Sequence, residues 1–208
     1  MPGAVLCDEC RERLPVIAPA EACPRCGAPY GRIVCTECWR QEWAFEAALA
    51  LGEFEAPLAR AVALHKDAGE RRLAAVFGVL LAEHVRETWP GWADAVAFIP
   101  ATDAALRRRG FDHGRGIGTA FAAALGVPVI EALARAAARD QRTLGRAARA
   151  ANIAGTFEVS PTARGSLPPH LLLVDDVMTT GATVDAAAAE LLDGGADAVR
   201  VAAVARTW

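Results

Sequence analysis

The sequence predicts an α/β protein, a parallel sheet flanked by helices, with a small cysteine-rich ribbon at its amino end. Three observations predict it. Residues 171–174, Leu-Leu-Leu-Val, form a continuous apolar run, as expected of a strand buried on both faces of a parallel sheet. Segments with apolar residues at helical spacing alternate with other short apolar runs, the order that βαβ units produce. All six cysteines fall within the first 38 residues, as three Cys-x-x-Cys pairs.

The 208 residues suffice for one medium domain and a small appendage, and the 53% hydrophobic content supports a core. No apolar run approaches the ~18 residues of a membrane helix. Residues 1–6 lack the basic and apolar regions of a signal peptide, so a cytoplasmic location is expected. A net charge of −3 excludes a globally basic nucleic-acid binder and leaves only a local basic surface. Lys66 is the only lysine among 22 basic residues.

From the amino end, the pairs are Cys7/Cys10, Cys23/Cys26 and Cys35/Cys38. In a reducing compartment two thiolates two residues apart bite one tetrahedral ion rather than form disulfides. Cys23-Pro-Arg-Cys26-Gly27 followed by Cys35-Thr-Glu-Cys38 reads as two knuckles of a zinc ribbon whose four thiolates make a structural Zn2+ site. Cys7 and Cys10 are left over, either as half of a second metal site or as a reduced dithiol. A redox role fits less well, since no strand-then-helix pattern frames them.

Residues 39–54 mix aromatic and small residues with weak alternation, predicting a strand or hairpin. Residues 57–65 and 70–88 carry apolar residues at helical spacing, separated by Asp67-Ala68-Gly69. Lys66 lies just before that turn, where its amine can reach a ligand, the alternative being a solvated surface charge. Trp89-Pro-Gly-Trp92 ends the helix, and residues 93–99 predict a strand stopping at Pro100.

Arg107, Arg108, Arg109 and Arg115 follow that strand among several glycines, and guanidinium groups pair bidentately with phosphate oxygens. These arginines are candidates to clamp pyrophosphate, the alternative being a solvated helix end. The glycine run at 114, 116 and 118 lacks the spacing and the following acid of a dinucleotide site. Residues 118–125 predict a helix and 127–130 an edge segment interrupted by Pro128. Between 135 and 149 the arginines at 135, 139, 142, 146 and 149 predict a solvated helix or a lid over a reacting centre. Residues 161–169 form a linker, and 198–205 the last strand.

The apolar run at 171–174 stops at Asp175 and Asp176, at the carboxyl end of its strand, where open α/β sheets place ligands. The loop from Met178 to Thr183 is rich in Thr and Gly and opens into a helix over 184–192, which makes an anion cradle. Two acids beside such a cradle suit a sugar phosphate. The carboxylates hold ribose hydroxyls or magnesium, and the loop holds the phosphate.

Residues 171–183 resemble the phosphoribosyl-pyrophosphate (PRPP) motif of the type I phosphoribosyltransferases. Together with Cys-Pro-Arg-Cys-Gly at 23–27, Lys66 before its turn, the Arg109-Gly-Phe-Asp element, and Arg146, Arg149, Asn152, Gly155 and Phe157, the chain resembles the ComF/ComFC competence proteins. That resemblance implies a zinc ribbon over 1–43 and a domain of type I phosphoribosyltransferase fold over 44–208. It further implies catalytic Asp175 and Asp176, and PRPP contacts from 175–183 (Asp175, Asp176, Val177, Met178, Thr179, Thr180, Gly181, Ala182, Thr183), Lys66, Arg107 and Arg109, with Mg2+ accompanying PRPP. Departures are the absence of one Cys-x-x-Cys pair, His113 where Gln is usual, and Thr179 in place of the Asp of purine-salvage transferases. Without that base, purine salvage is not expected.

Two functions follow from the resemblance. One is handling or uptake of single-stranded DNA during natural transformation, in company with DNA-uptake or helicase proteins, with Arg25, Arg32, Trp39 and Trp43 supplying cations and stacking surfaces. The other is transfer of phosphoribose to an unidentified nucleobase or amine.

Overall fold

The computed structural model describes residues 5–136 and 155–207. A helical turn α1 (Asp8–Glu12) and a 3-10 turn (Pro19–Glu21) lead through the cysteine knuckles to strand β1 (Ala47–Glu53). Helices α2 (Leu58–Lys66) and α3 (Leu73–Thr88) follow, then β2 (Ala95–Phe98), α4 (Asp103–Arg109), α5 (His113–Leu125) and the short β3 (Val129–Ile130). After β4 (Leu133–Arg135) and β5 (Phe157–Val159) come β6 (His170–Met178), α6 (Ala182–Asp193) and β7 (Ala198–Arg206).

Five strands form a parallel sheet in the order β1-β7-β6-β2-β3. The expected parallel sheet flanked by helices is therefore present. Leu171 to Val174 are wholly buried, because β6 is central and both its faces are covered. Leu172 and Val174 pack with Leu58, Phe77, Leu81 and Phe121 from α2, α3 and α5. Leu171 and Leu173 pack on the opposite face with Ala187 and Leu191 of α6, and the four ribbon cysteines belong to that same apolar cluster. Each of these Leu, Val and Phe side chains contributes roughly 1.5–3 kcal/mol by leaving water.

Several elements differ from expectation. Of the strand or hairpin expected over 39–54 the strand forms, confined to Ala47–Glu53 and paired parallel with β7. Its burial on both faces makes parallel pairing the better use of 48–51. Helix α5 starts at His113, five residues before the expected 118, because Asp112 caps it by accepting the Arg115 N–H. The glycines inside it permit close approach: a Cβ at Gly114 would lie 2.4 Å from the Ile99 carbonyl oxygen. Strands β4 and β5 form a separate antiparallel pair at the two ends of the arginine-rich segment. Arg139, Arg142, Arg146, Arg149 and Asn152 lie outside the described residues.

Gly78 on α3 shows the same need for closeness. A Cβ there would meet the backbone of Ala120 and Phe121 on α5 at 2.6 Å. Gly78→Ala should lower stability by about 2 kcal/mol in urea denaturation, despite the better helix propensity of Ala.

Candidate functional site

Strand β2 leads outward to β3 through α4 and α5, and β6 leads the other way to β7 through α6. The chain direction thus reverses between β2 and β6, the position at which open α/β sheets bind ligands. Pairing with β2 ends at Phe98 opposite Val174, whereas β7 continues alongside β6 to Met178. Asp175 and Asp176 therefore lie in the last turn of the strand rather than beyond it, next to an edge that β2 has vacated.

The two carboxylates fall on opposite faces. Asp176 follows the parity of Leu172 and Val174 toward α2 and α5, and is 4% exposed. Its Oδ1 accepts the Val177 N–H at 2.9 Å, and its Oδ2 lies 2.5 Å from Lys66 Nζ. This last is a charge contact rather than an aligned hydrogen bond. His113 Nε2, at the start of α5, stands 3.5 Å from the same oxygen. Burial raises the Asp176 pKa, but Lys66, His113 and Asp175 together outweigh it and hold the carboxyl below its ordinary value.

Asp175 faces the other side, with its Oδ1 accepting the Asp176 N–H at 2.8 Å. It keeps some solvent contact, yet its carboxyl group is closely walled in. Burial, and then the neighbouring Asp176 charge, push it up to about 8. Arg135 extends over the Phe157 ring, donates to the Pro100 carbonyl at 3.0 Å and feels the Asp175 charge.

The displaced pKa has a testable consequence. From about 4 to about 8 the folded protein retains a proton on Asp175 that the unfolded chain releases, so stability falls as pH rises through this window. Asp175→Asn removes that term. The variant should unfold with a flatter pH profile, its stability relative to the parent growing from pH 5 to pH 8. Parallel profiles in urea denaturation at pH 5 and pH 8 would show that Asp175 ionises normally.

A ring of polar side chains extends from Asp176. Arg109 reaches Asp67 at 3.0 Å and His113 Nδ1 at 3.4 Å, and its side chain is 9% exposed. His113 is driven down in pKa by burial, against the pull of Asp176. Beneath it His65, 1% exposed, touches the His113 and Glu70 carbonyls and stands edge-on to Phe77 and Phe111. Lys66 and Arg109 are thus brought to the acids. Arg107 is exposed on α4 without an ion pair among the described residues, and Arg115 pairs with Glu131 at 2.6 Å.

After Met178 the chain turns through exposed Thr179 and Thr180 to Gly181, at φ +81°. A Cβ on Gly181 would meet Met178 Cε at 3.0 Å and the Trp43 ring at 3.2 Å, so glycine answers both the backbone and the crowding. Ala182 and Thr183 then open α6, whose amino end has no side-chain cap. Ala182 N–H donates to the Thr180 hydroxyl at 3.4 Å, which leaves the next N–H groups and the positive dipole end available to an anion.

On the ribbon side, the sulfurs of Cys23, Cys26, Cys35 and Cys38 lie within 4.8 Å of one another, all four residues buried. Cys26 and Cys35 sulfurs are 3.7 Å apart, close to the ~3.8 Å edge of a tetrahedron with Zn–S bonds of about 2.3 Å. Cys35 N–H and Trp43 Nε1–H point at the Cys23 and Cys38 sulfurs, at 3.4 and 3.3 Å. Burial opposes the Cys23 thiolate, but backbone N–H groups outweigh it and bring that thiol to about 7. The cluster could hold zinc. Cys7 is exposed and Cys10 half-buried, outside this cluster.

Sequence reading missed Arg206, Asp67 and the role of His65. Asp67 adjoins Lys66, which is a usable signal; Arg206 and His65 acquire meaning only through neighbours distant in sequence.

No protein-family model matches the chain. The DNA utilization protein YhgH of Salmonella typhi is 28% identical over 193 residues, covering 89% of this chain and 84% of that protein. Its namesake from Escherichia coli matches to the same extent. Among solved structures, the glutamine PRPP amidotransferase of B. subtilis aligns with a TM-score of 0.45 and 20% identity over 64% of this chain. The chain spans about a quarter of that enzyme, 26% of its length. An adenine phosphoribosyltransferase aligns with a TM-score of 0.43 and 16% identity, over 69% of this chain and 74% of that one. Among the described residues, no helix is long and apolar enough to cross a membrane.

Proposed function

We propose that this is a ComF-like protein whose phosphoribosyltransferase domain, residues 44–208, binds PRPP with Mg2+, and which acts in the cytoplasm in uptake or handling of single-stranded DNA. The observation that carries the pocket is the Lys66–Asp176 contact at the switch point, set beside the uncapped amino end of α6. The 5-phosphate takes the cradle of Thr179, Thr180, Gly181, Ala182 and Thr183, flanked by Val177 and Met178. Asp175 and Asp176 face the ribose hydroxyls, directly or through Mg2+, which supplies charge neutralisation for the pyrophosphate when bound.

Lys66 is 31% exposed along its side chain, so its amine can leave Asp176 for the pyrophosphate as the ribose arrives. Arg109 is held by Asp67 close to the same point, and Arg107 stands free in solvent for the outer phosphate. Residues 1–43 form the ribbon, with Cys23, Cys26, Cys35 and Cys38 as structural Zn2+ ligands. The name carried by the relatives supports the DNA role. On the ribbon Trp39 is 79% exposed and Arg32 is also exposed, a cation and a stacking face of the kind single strands use. Trp43 instead packs on Phe45, centroids 5.2 Å apart.

The enzymatic alternative rests on the same pocket. The C1–O bond of PRPP breaks toward pyrophosphate, a nitrogen lone pair of the acceptor forms the new C1 bond, and the acceptor's proton goes to solvent or product. Asp175 and Asp176 would be its catalytic residues, orienting the ribose as positive charge develops at C1. Incubation with PRPP, Mg2+ and a panel of bases and amines, with pyrophosphate measured, separates the two. The competence reading expects no release above the acceptor-free rate, together with single-stranded DNA binding that weakens with salt. Acceptor-dependent release without DNA binding would replace it by the enzyme.

A further inference from the structure

The two ends of the proposed pocket are held by different means. At the phosphate loop Arg206, 2% exposed, donates to the Met178 and Thr179 carbonyls. At the pyrophosphate end the side chains close into a ring. Arg109 Nη2 meets Asp67 at 3.0 Å and Arg109 Nη1 meets His113 Nδ1 at 3.4 Å. His113 Nε2 stands 3.5 Å from Asp176 Oδ2, and that oxygen lies 2.5 Å from Lys66 Nζ. Lys66 and Asp67 are consecutive, so the ring is complete.

Arg109 fixes the state of the histidine. A guanidinium only donates, so Nδ1 must accept, and the single ring proton sits on Nε2, the nitrogen that faces Asp176. His113 thereby stands uncharged between a cation and an anion. Its place is rigid. Asp112 caps α5 at the Arg115 N–H and with its other oxygen accepts the Ala101 N–H at 2.9 Å, while Gly114 lies against the Ile99 carbonyl. These contacts tie the first turn of α5 to the end of β2. His113 is buried there, whereas Lys66 is 31% exposed along its side chain and can turn outward.

Asp176 Oδ2 is buried without an aligned hydrogen bond. Were Lys66 to leave it with nothing in exchange, an unpaired charge would remain in the interior, which is costly. The Nε2–H of His113 is the donor placed to prevent this, by closing its 3.5 Å gap, and contacts of this kind tighten when a ligand arrives.

We propose that His113 is a positioning residue that takes over Asp176 from Lys66 when the amine turns to the pyrophosphate, while its Nδ1 keeps Arg109 beside the same group. The inference rests on reading this pocket as the PRPP site. It makes His113 selective between ligands, because ribose 5-phosphate has no pyrophosphate to draw Lys66 away and its binding needs no exchange of partners.

The test titrates PRPP with Mg2+ and, separately, ribose 5-phosphate into the zinc-loaded full chain and its variants, with circular dichroism to check folding. His113→Leu should weaken PRPP binding about tenfold, the size of one hydrogen bond to a charged group, and ribose 5-phosphate binding less than about twofold. His113→Gln, whose amide carbonyl can accept from Arg109 while its NH2 donates to Asp176, should bind PRPP within about threefold of the parent. In the parent itself, nitrogen–proton NMR correlations of the imidazole at neutral pH should show His113 protonated at Nε2 alone, with and without PRPP. A proton on Nδ1 overturns the inference alone, and needs no variant. So do equal losses for both ligands in a folded His113→Leu, or a tenfold loss of PRPP affinity in a folded His113→Gln. A zinc-loaded parent that does not bind PRPP overturns both the inference and the pocket beneath it.

Discussion

Replacing both acids, Asp175→Asn with Asp176→Asn, is expected to weaken PRPP binding by at least ~100-fold while leaving a folded protein. Asp176 is where Lys66 and His113 converge, and its Oδ2 faces both at 2.5 and 3.5 Å. Loss of a buried charged partner costs about 2–5 kcal/mol of binding, and a hundredfold is ~2.7 kcal/mol. The fold should tolerate the change because the two effects on stability oppose. Asparagine at 175 ends the cost of enclosing a carboxyl that burial first, and the Asp176 charge second, push up to about 8, whereas asparagine at 176 strands Lys66, which can turn to solvent. Calorimetric titration together with circular dichroism checks both halves. Undiminished affinity in a folded double variant would remove the acidic pair from the pocket.

The second large effect is expected at the ribbon. Cys23→Ser should lose stoichiometric zinc and destabilise the protein by several kcal/mol, since structural zinc sites contribute folding energy outright. The loss should not remain local. Cys23, Cys26, Cys35 and Cys38 are packed in one apolar cluster with Phe45, Leu173 and Val201, so an uncoordinated knuckle opens a face of the sheet itself. Metal analysis and urea denaturation of the purified variant decide this. Retention of one zinc per chain would mean that other residues bind it.

The central strand and its acids were legible because they are local signals. Leu171 to Val174 announce burial on both faces, and Asp175 and Asp176 break that run within two residues. Cys23, Cys26, Cys35 and Cys38 were equally legible, since a metal's bite fixes spacing along the chain. Helix α5 was harder. Its glycines look like a loop in sequence, and only the nearness of Ile99 and Phe98 explains them. Strand β1 was legible only as a strand or hairpin, because its parallel pairing with β7 joins residues about 150 apart. The roles of His65 and Arg206 were invisible for the same reason: each is a polar group defined by neighbours that the chain supplies from elsewhere. Asp67 and Arg109 meet at 3.0 Å across 42 residues, a contact that charge pattern alone does not disclose.

The most direct measurement of the account is a PRPP titration of the zinc-loaded protein, with and without magnesium, against ribose 5-phosphate as reference. Saturable one-to-one binding that magnesium strengthens, with the reference markedly weaker, is the expected result. Absence of saturable PRPP binding under either condition would contradict the pocket at the carboxyl end of β6.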